Sequence, residues 1–355
     1  MVKRSTHPFL GRSFQRTLNA MTRTAIRVGA KTLNKALRTA PPASKLSRAK
    51  TAPAKPLPNP AVGQWTSGGA ASVSGAKRYR LFKPPGVLRG ERLPLLVMLH
   101  GCLQDAQAFA DVSHMNRIAA RERFFVLYPE QSSLSNAQRC WNWYDTRSGR
   151  AQMETDAIYA TIQQVCLNQA VDPGCVALAG LSAGASMAAL LATRHPARFQ
   201  AVAMHSGIGP GVAHSSATAF GAMRGHRPAT LPLATLPEGM HLPPLLVIQG
   251  SADSTVAPSN GPYAARQWAA LEGAKSSVPR TVQRGARYAA TVTDFKAGSR
   301  LVSTLCEVQG LGHAWSGGAS GHSYSDPKGP DASRMIWAFV SKQFARARQA
   351  VTVPC

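Results

Sequence analysis

The architecture of this chain is set by one stretch of sequence, Val176-Ala177-Leu178-Ala179-Gly180-Leu181-Ser182-Ala183-Gly184. Its first four residues are apolar and predict a buried strand, whereas the small residues after Ser182 predict a helix. Glycines two positions before and two positions after Ser182 leave room for a sharp turn between strand and helix. The helix N-terminus would place free N–H groups and the positive end of its dipole beside the serine hydroxyl. The stretch therefore predicts a strained turn that carries a nucleophilic Ser182, with an ordinary loop as the alternative.

Short apolar runs alternate with helical stretches on both sides of this turn. The strand candidates are 79–83, 93–99, 124–128, 176–179, 201–204, 245–249 and 301–308, and the helix candidates are 105–122, 155–169, 183–194, 262–272 and 331–348. Continuous apolar runs are typical of parallel strands covered on both faces. The alternation therefore predicts an α/β fold with a doubly wound, mostly parallel sheet. Residues 207–243 predict an inserted loop region over the carboxyl ends of the strands, where substrate pockets form.

The positive charge of the chain is concentrated near its N-terminus. The 355 residues have a net charge of +25, but the first 90 contain 18 Lys and Arg and no Asp or Glu. A hydrophobic content of 44% supports a large core. No apolar run reaches the ~18–20 residues that a transmembrane segment needs. These features predict a basic N-terminal arm with a Pro-rich linker over residues 1–60 and a catalytic domain over residues 61–355.

The arm has a helical pattern. Apolar residues at positions 10, 14, 18, 21, 25 and 28 recur at three- or four-residue steps, and basic residues at 12, 16, 23, 27 and 31 occupy another face. Such a helix suits a polymer-granule coat, another anionic surface such as a membrane interface, or nucleic acid bound without specificity. A solvated, partly disordered basic arm is the alternative. The prolines of 39–60 predict the linker.

Location and cysteine usage point in different directions. No apolar segment of ~7–15 residues follows the N-terminal charges, so we expect a cytoplasmic protein, with secretion as the alternative. The six cysteines at 102, 140, 166, 175, 306 and 355 permit disulfides, with Cys166/Cys175 and Cys306/Cys355 as conceivable pairs. Reduced, buried cysteines are the alternative and would suit the cytoplasm.

A serine nucleophile needs a base to remove its proton and a carboxylate to orient that base. Asp253 follows the apolar run 245–249, and His313 follows the run 301–308. Each would therefore lie on a loop after a strand that comes later than Ser182, which is the chain order of α/β-hydrolases. Asp294, Asp326 and Asp331 are rival acids, and His322 is a rival base. We interpret His205, at the end of the strand that follows the nucleophile helix, as structural.

The negative oxygen of a tetrahedral intermediate also needs preorganised donors. His100-Gly101-Cys102 follows the strand at 93–99, the position from which such enzymes supply one backbone N–H. The sequence thus predicts an oxyanion hole formed by the N–H groups of Cys102 and Ala183. The Cys102 sulfur has no part in this role and could form a disulfide with Cys140.

Three tryptophans lie near this predicted chemistry. Trp141 and Trp143 are next to Cys140, and Trp315 is two residues after His313. They could line an apolar slot for an acyl chain, or they could pack in the core. The chain has no CxxC pair, no helical His-x-x-x-His and no GxxxxGK[ST], so we predict neither a metal nor a cofactor.

Jointly, these motifs resemble the polyhydroxybutyrate depolymerase family of esterases. The resemblance covers residues 75–342 and rests on six segments: 100–105 (HGCLQD), 128–131 (YPEQ), 139–143 (RCWNW), 180–184 (GLSAG), 250–256 (GSADSTV) and 312–318 (GHAWSGG). It implies an α/β-hydrolase with a type I catalytic arrangement and a Ser182–Asp253–His313 triad. It also implies short-chain hydroxyalkanoate polyesters as substrates. Members of the wider family cleave feruloyl or acetyl groups from plant polysaccharides.

The sequence departs from secreted members of this family, which carry a signal peptide and a C-terminal polymer-binding domain. An intracellular enzyme that acts on amorphous storage granules therefore fits better, with the basic arm as granule contact. Our first hypothesis is a serine esterase that hydrolyses poly(3-hydroxybutyrate) or its oligomers. A feruloyl or acetylxylan esterase is the alternative within the same class. The alternative from another class is a non-catalytic protein that binds a granule or another surface on a hydrolase scaffold.

Overall fold

The computed structural model describes residues 63–73, 75–226 and 239–352. All of them lie in the second of the two units into which the chain divides, 1–60 and 61–355. The expected amphipathic arm and linker of residues 1–60 therefore lie outside the described residues, as does Cys355.

The described strands form one large mixed sheet and one small ribbon. They are β1 Gln64–Ser72, β2 Gly75–Lys83, β3 Leu93–Leu99, β4 Phe125–Pro129, β5 Val171–Leu181, β6 Ala201–His205, β7 Leu245–Gly250, β8 Lys275–Ser276, β9 Arg280–Val282, β10 Ala290–Ala297, β11 Arg300–Val308, β12 Trp315–Ser316 and β13 Ser325–Asp326. The large sheet has the order β1-β2-β4-β3-β5-β6-β7-β11-β10-β8, with β9 also paired to β10, and β12 pairs with β13 in the ribbon. Its six central strands, from β4 to β11, are parallel, and antiparallel strands flank them at both edges.

The described helices cover both faces of this sheet. They are α1 Ala106–Ser113, α2 Met115–Glu122, α3 Arg150–Asn168, α4 Ala183–Arg194, α5 Ser216–Met223, α6 Asn260–Leu271 and α7 Ala332–Thr352, with a short 3-10 turn at Pro196–Arg198. Side chains of α1, α2 and α7 pack in one core cluster, and those of α3, α4, α5 and α6 pack in the other. None of the described helices is both long and apolar enough to span a membrane.

The apolar run of β3 shows why the sheet lies in the middle. All seven residues of Leu93–Leu99 are buried, since alternate side chains enter the cores on opposite faces. Strands of this kind need helices on both sides, and the chain supplies them between successive parallel strands. The expected doubly wound, mostly parallel α/β fold is confirmed.

Two local features differ from the expectation. The single helix expected over 105–122 is interrupted at His114, whose left-handed backbone (φ 53°) ends α1 and begins α2. Helix α3 begins at Arg150, five residues before the expected start at Thr155. The Thr155 hydroxyl donates to the carbonyl of Gln152 inside the helix (2.7 Å) and caps nothing. The expected insertion at 207–243 contains α5, while its residues 227–238 lie outside the described part of the chain.

The predicted site residues all follow parallel strands. Ser182, Asp253 and His313 lie one, three and five residues after the ends of β5, β7 and β11. These strands are close in the sheet, with only β6 between β5 and β7. Because the carboxyl ends of parallel strands share one edge, the fold brings the three loops together.

Candidate active site

Ser182 occupies a strained turn between β5 and α4. Its backbone has φ 55° and ψ −120°, a conformation that residues other than glycine rarely adopt. Its N–H donates to the carbonyl of His205 (2.8 Å), which ties the turn to the end of β6. A Cβ on Gly180 would meet the backbone of Gly184, and one on Gly184 would meet the carbonyl oxygens of Leu99 and His100. The turn therefore requires both glycines.

Ser182, His313 and Asp253 form a hydrogen-bonded series, which we call the relay. Nε2 of His313 lies 3.0 Å from Oγ of Ser182, and its Nδ1 lies 2.8 Å from Oδ2 of Asp253. The imidazole is within reach of the serine proton, while the carboxylate fixes the ring through its other nitrogen. The structure thus brings together the three residues that the sequence analysis selected.

Asp253 is held as a carboxylate. Its side chain is fully buried, which disfavours the charged form. The hydrogen bond and charge of His313, with the N–H groups of Val256 and Thr255 (2.8 and 2.9 Å to Oδ1), outweigh that burial and lower the pKa of Asp253. The side-chain amide of Gln249 also donates to Oδ2 (3.3 Å). A fixed negative charge would stabilise the imidazolium that forms when His313 accepts a proton.

The rival residues make other contacts. Asp294 pairs with Arg280 and accepts from Thr304 (2.7 Å), Asp326 accepts from the N–H of Lys328, and Asp331 accepts from the N–H of Arg334 near the start of α7. His322 is exposed. Within the described residues, no hydrogen bond joins any of these four side chains to Ser182 or His313.

His205 connects the two sides of the relay. Its carbonyl accepts from Ser182, and its Nε2 accepts from the N–H of Ser316 (3.1 Å), three residues after His313. Its Nδ1 therefore carries the proton and donates to Oγ of Ser206 (3.1 Å). Burial, with the nearby charge of His313, lowers the pKa of His205 to about 3, so the ring is neutral at pH 7. The interpretation of His205 as structural left out this link.

The expected oxyanion donors lie on two elements next to Ser182. Ala183 is the first residue of α4, and Cys102 is in the loop after β3, residues 100–105, which we call the β3 loop. In the part of the chain that the structure describes, neither N–H has a hydrogen-bond acceptor. Close contact of Gly184 with the carbonyls of Leu99 and His100 sets α4 against the end of β3. Gly101, next to Cys102, lies against the side chain of Leu181, the residue before Ser182. Within the described residues, both N–H groups therefore lack an acceptor on elements that adjoin the strained turn.

A disulfide joins Cys102 to Cys140, the pairing that the sequence analysis left open. The conceivable pair Cys166/Cys175 is wrong, since both thiols are free, and Cys306 is a buried free thiol. Burial raises the pKa values of Cys166 and Cys175 to about 11 and that of Cys306 to about 12. These three thiols are therefore protonated at neutral pH and poor nucleophiles.

The three tryptophans are packing residues in this structure. Trp141 and Trp315 have no exposed surface, and Trp143 has 9%. The indole N–H of Trp141 donates to the carbonyl of His100 (3.0 Å), and that of Trp315 donates to Ser333 (3.0 Å). Their positions correspond to the core alternative of the sequence analysis, rather than to an open slot for an acyl chain.

A buried polar cluster beneath the β3 loop was missed by the sequence analysis. Its members are Lys77, Gln131, Asn142 and Glu154, each at most 7% exposed. The only available signal was a charged residue, Glu154, in helical register with Ile158 and Ile162 of α3. Among the described residues, no group of three or more His, Cys, Asp or Glu is arranged to hold a metal ion.

The sheet, the serine turn and the relay define an α/β-hydrolase. The family model described as Esterase PHB depolymerase matches residues 77–291, and the chain belongs to this family. His313 lies beyond the matched residues and is placed by the structure.

Proteins of related sequence agree with this assignment, and a solved structure agrees with the fold. The chain is 30% identical to poly(3-hydroxyalkanoate) depolymerase C of Paucimonas lemoignei, over 62% of this chain and 54% of that protein. It is 28% identical to acetylxylan esterase A of Talaromyces purpureogenus, over 53% of this chain and 52% of that protein. The structure of an acetyl xylan esterase from Aspergillus awamori superimposes with a TM-score of 0.57 at 18% identity, over 78% of this chain and 99% of that one. The chain spans about half the length of the first two relatives.

Proposed function

We propose that this protein is a serine carboxylic ester hydrolase that cleaves short-chain polyhydroxyalkanoate, poly(3-hydroxybutyrate) or its oligomers, through an acyl-enzyme. The observation that carries the proposal is the relay, with 3.0 Å from Ser182 to His313 and 2.8 Å from His313 to Asp253 on a strained turn. No metal or cofactor takes part in this mechanism.

In the first step, Oγ of Ser182 attacks the ester carbonyl while His313 takes the serine proton. The N–H groups of Cys102 and Ala183 stabilise the oxyanion, and losing one such donor typically costs about 3–4 kcal/mol of transition-state stabilisation. The C–O bond to the leaving group then breaks, and His313 gives its proton to the departing alkoxide oxygen, which leaves as an alcohol. Asp253 stays ionised throughout and stabilises the imidazolium.

In the second step, His313 takes a proton from water, whose oxygen attacks the acyl-enzyme. The bond from the carbonyl carbon to Oγ breaks, the proton returns to Ser182, and the 3-hydroxyacid leaves. The oxyanion donors serve the same function in both steps.

The substrate class is supported by the family and by the depolymerase relative. An acetylxylan or feruloyl esterase is the second candidate, because an acetylxylan esterase has nearly the same identity to this chain. Rates on amorphous poly(3-hydroxybutyrate), acetylated xylan and methyl ferulate separate the two. The polyester proposal requires the highest kcat/KM on the polyester or its oligomers.

The mechanism is tested by Ser182→Ala, with Ser186→Ala as matched control. Ser186 is a buried serine one turn further along α4, and its hydroxyl donates to the carbonyl of Ser182 (3.4 Å). We expect Ser182→Ala to lose at least about 10³-fold in hydrolysis and all labelling by a fluorophosphonate. Ser186→Ala should keep both within about tenfold. Labelling of the Ser182→Ala protein would contradict the mechanism, and an unlabelled wild-type protein would favour a non-catalytic surface-binding role.

We propose further that residues 1–60 form a basic arm that contacts a granule or another anionic surface, and that 61–355 is the catalytic domain. The charge pattern of the arm supports this contact. Deletion of 1–60 should weaken attachment to amorphous granules and remove its salt dependence.

For location, the Cys102–Cys140 disulfide supports the secreted alternative over the cytoplasmic expectation, because disulfides persist in oxidising compartments.

A further inference from the structure

Glu154 is a buried carboxylate that lies outside the relay. It is on α3 with 7% of its surface exposed. Its oxygens accept from the side-chain amide of Gln131 (2.7 Å) and from both the N–H (2.9 Å) and the side-chain amide of Asn142. A buried charge is costly unless several donors satisfy it, and all of these donors come from the loop between β4 and α3. We call that loop, residues 130–149, the β4 loop.

Lys77, on β2, contacts Gln131 of the same cluster. Its Nζ donates to Oε1 of Gln131 (2.6 Å) and lies 4.8 Å from the centre of the Trp141 ring. Burial lowers the pKa of Lys77, and the charge of Glu154 partly restores it. Gln131 therefore bridges a buried cation and a buried carboxylate, and its orientation is fixed by both.

The β4 loop in turn holds the β3 loop. Five connections join them. Three are hydrogen bonds: N–H of Gln131 to Nε2 of His100 (3.1 Å), Nε1 of Trp141 to the His100 carbonyl (3.0 Å), and N–H of Leu103 to the Gln138 carbonyl (2.7 Å). The others are the ion pair of Arg139 with Asp105 (3.1 Å) and the Cys102–Cys140 disulfide. Since Nε2 of His100 accepts, its Nδ1 donates to the carbonyl of Gly101 (2.7 Å). The backbone on both sides of the Cys102 N–H is thus anchored to the β4 loop.

We propose that Glu154 is a positioning residue for ester hydrolysis: it holds the β4 loop against the β3 loop and so fixes the N–H of Cys102 for the oxyanion. This inference rests on the proposed function. A preorganised donor acts in the transition state, so its displacement should lower kcat rather than raise KM. Displacements of about 1 Å can cost about 10²-fold in rate.

The test compares Glu154→Gln with Thr161→Val on the hydrolysis of p-nitrophenyl butyrate. A glutamine has one acceptor oxygen and turns an NH₂ toward donors, so the β4 loop must shift. Thr161 is a buried residue on the same helix whose hydroxyl bonds only within α3 (2.8 Å to Ala157), which makes it a matched control. We expect kcat to fall about 10- to 100-fold in Glu154→Gln with KM within about twofold, and both constants to stay within about twofold in Thr161→Val.

A rescue variant separates positioning from general damage. Asn142→Asp combined with Glu154→Gln restores one carboxylate–amide pair with the roles exchanged, and we expect it to recover most of the lost kcat. The melting temperatures of the double variant and of Glu154→Gln are compared as well. A double variant that is as stable as Glu154→Gln but does not recover kcat would overturn the proposal.

Ser182→Ala, measured beside these variants, tests the esterase mechanism separately from the positioning role of Glu154. If Ser182→Ala stays active, the esterase mechanism fails, and this inference fails with it. If Ser182→Ala is inactive, two results overturn the positioning role of Glu154 and leave the esterase mechanism intact. One is an equal kcat in Glu154→Gln and Thr161→Val. The other is a lower kcat/KM in Glu154→Gln that comes only from a higher KM. Should Glu154→Gln not fold, Lys77→Met replaces it, and a kcat within twofold of Thr161→Val overturns the proposal.

Discussion

The relay and the β3 loop meet at Ser182 but are held by different kinds of contact. Each relay residue lies within five residues of the end of a parallel strand, and backbone N–H groups orient the Asp253 carboxylate. The β3 loop also follows a strand, but it is anchored by a disulfide and by the β4 loop, which buried side chains of β2 and α3 hold in place. The sheet itself thus positions the nucleophile and base, whereas one oxyanion donor depends on side chains distant in sequence.

This difference separates two kinds of sensitivity. Changes on the relay side should remove chemistry and leave the fold intact, because the strands remain. Changes beneath the β3 loop should reduce activity and stability together, because the same contacts serve both.

The largest effect is expected for Asp253→Asn. An asparagine can present its NH₂ to Nδ1 of His313, which favours the wrong tautomer, and we expect kcat to fall about 10⁴-fold. Asp294→Asn is the control, since Asp294 pairs with Arg280 away from the relay. Hydrolysis of p-nitrophenyl butyrate measures both. A kcat within tenfold of wild type in Asp253→Asn would show that Asp253 is not the carboxylate that orients His313.

An intermediate effect is expected when the disulfide is removed by replacing Cys102 and Cys140 with serine. The cross-link spans a sequence separation of 38 residues. Its loss should lower the free energy of unfolding by about 2–4 kcal/mol. Because the β3 loop loses one anchor, kcat should fall as well, by about tenfold.

Urea unfolding and kcat of this double variant are compared with those of Cys166→Ser, which removes a free thiol. We expect the control to change little in both measurements. Loss of stability with unchanged kcat would show that the Cys102 donor does not need this anchor.

The smallest effect at neutral pH concerns the link between the two sides of the relay. The pKa of His205 is about 3 in the folded protein, against an ordinary value near 6.5. The unfolded chain therefore binds a proton at higher pH than the folded one, and stability falls as the pH drops from about 6.5 toward about 3. The contribution of His205 approaches about 1.4 kcal/mol per pH unit within that window.

His205→Gln should remove this contribution and flatten the decline in stability. Urea unfolding at pH 6.5, 5.5 and 4.5 measures the slope for the variant, the wild type and the exposed control His322→Gln. Identical slopes in wild type and His205→Gln would rule out a neutral His205 as a determinant of acid stability.

The sheet and the relay could be predicted from the sequence because both follow local patterns. Apolar runs mark the parallel strands, and Ser182, Asp253 and His313 follow such runs directly. The edge strand β1, with the sequence QWTSGGAAS, has no such run and is mostly exposed, so it left no signal. The interruption at His114 depends on one left-handed residue inside an otherwise helical pattern.

The contacts beneath the β3 loop could not be predicted, because they join residues far apart along the chain. Lys77 and Gln131 are 54 positions apart, and Gln131 and Glu154 are 23 apart. The tryptophans stayed ambiguous for a related reason. Their residue type suits both a slot and a core, and only packing shows that Trp141 and Trp315 are covered.

The close approach at Gly184 has a further consequence. Helix α4 carries the N–H of Ala183, and β3 leads into the loop that carries the N–H of Cys102, so the gap between the two donors depends on how near helix and strand can come. That separation is set where main chain touches main chain, with no side chain between Gly184 and the carbonyls of Leu99 and His100. Even one methyl group at position 184 would push helix and strand apart and so move the two oxyanion donors away from each other.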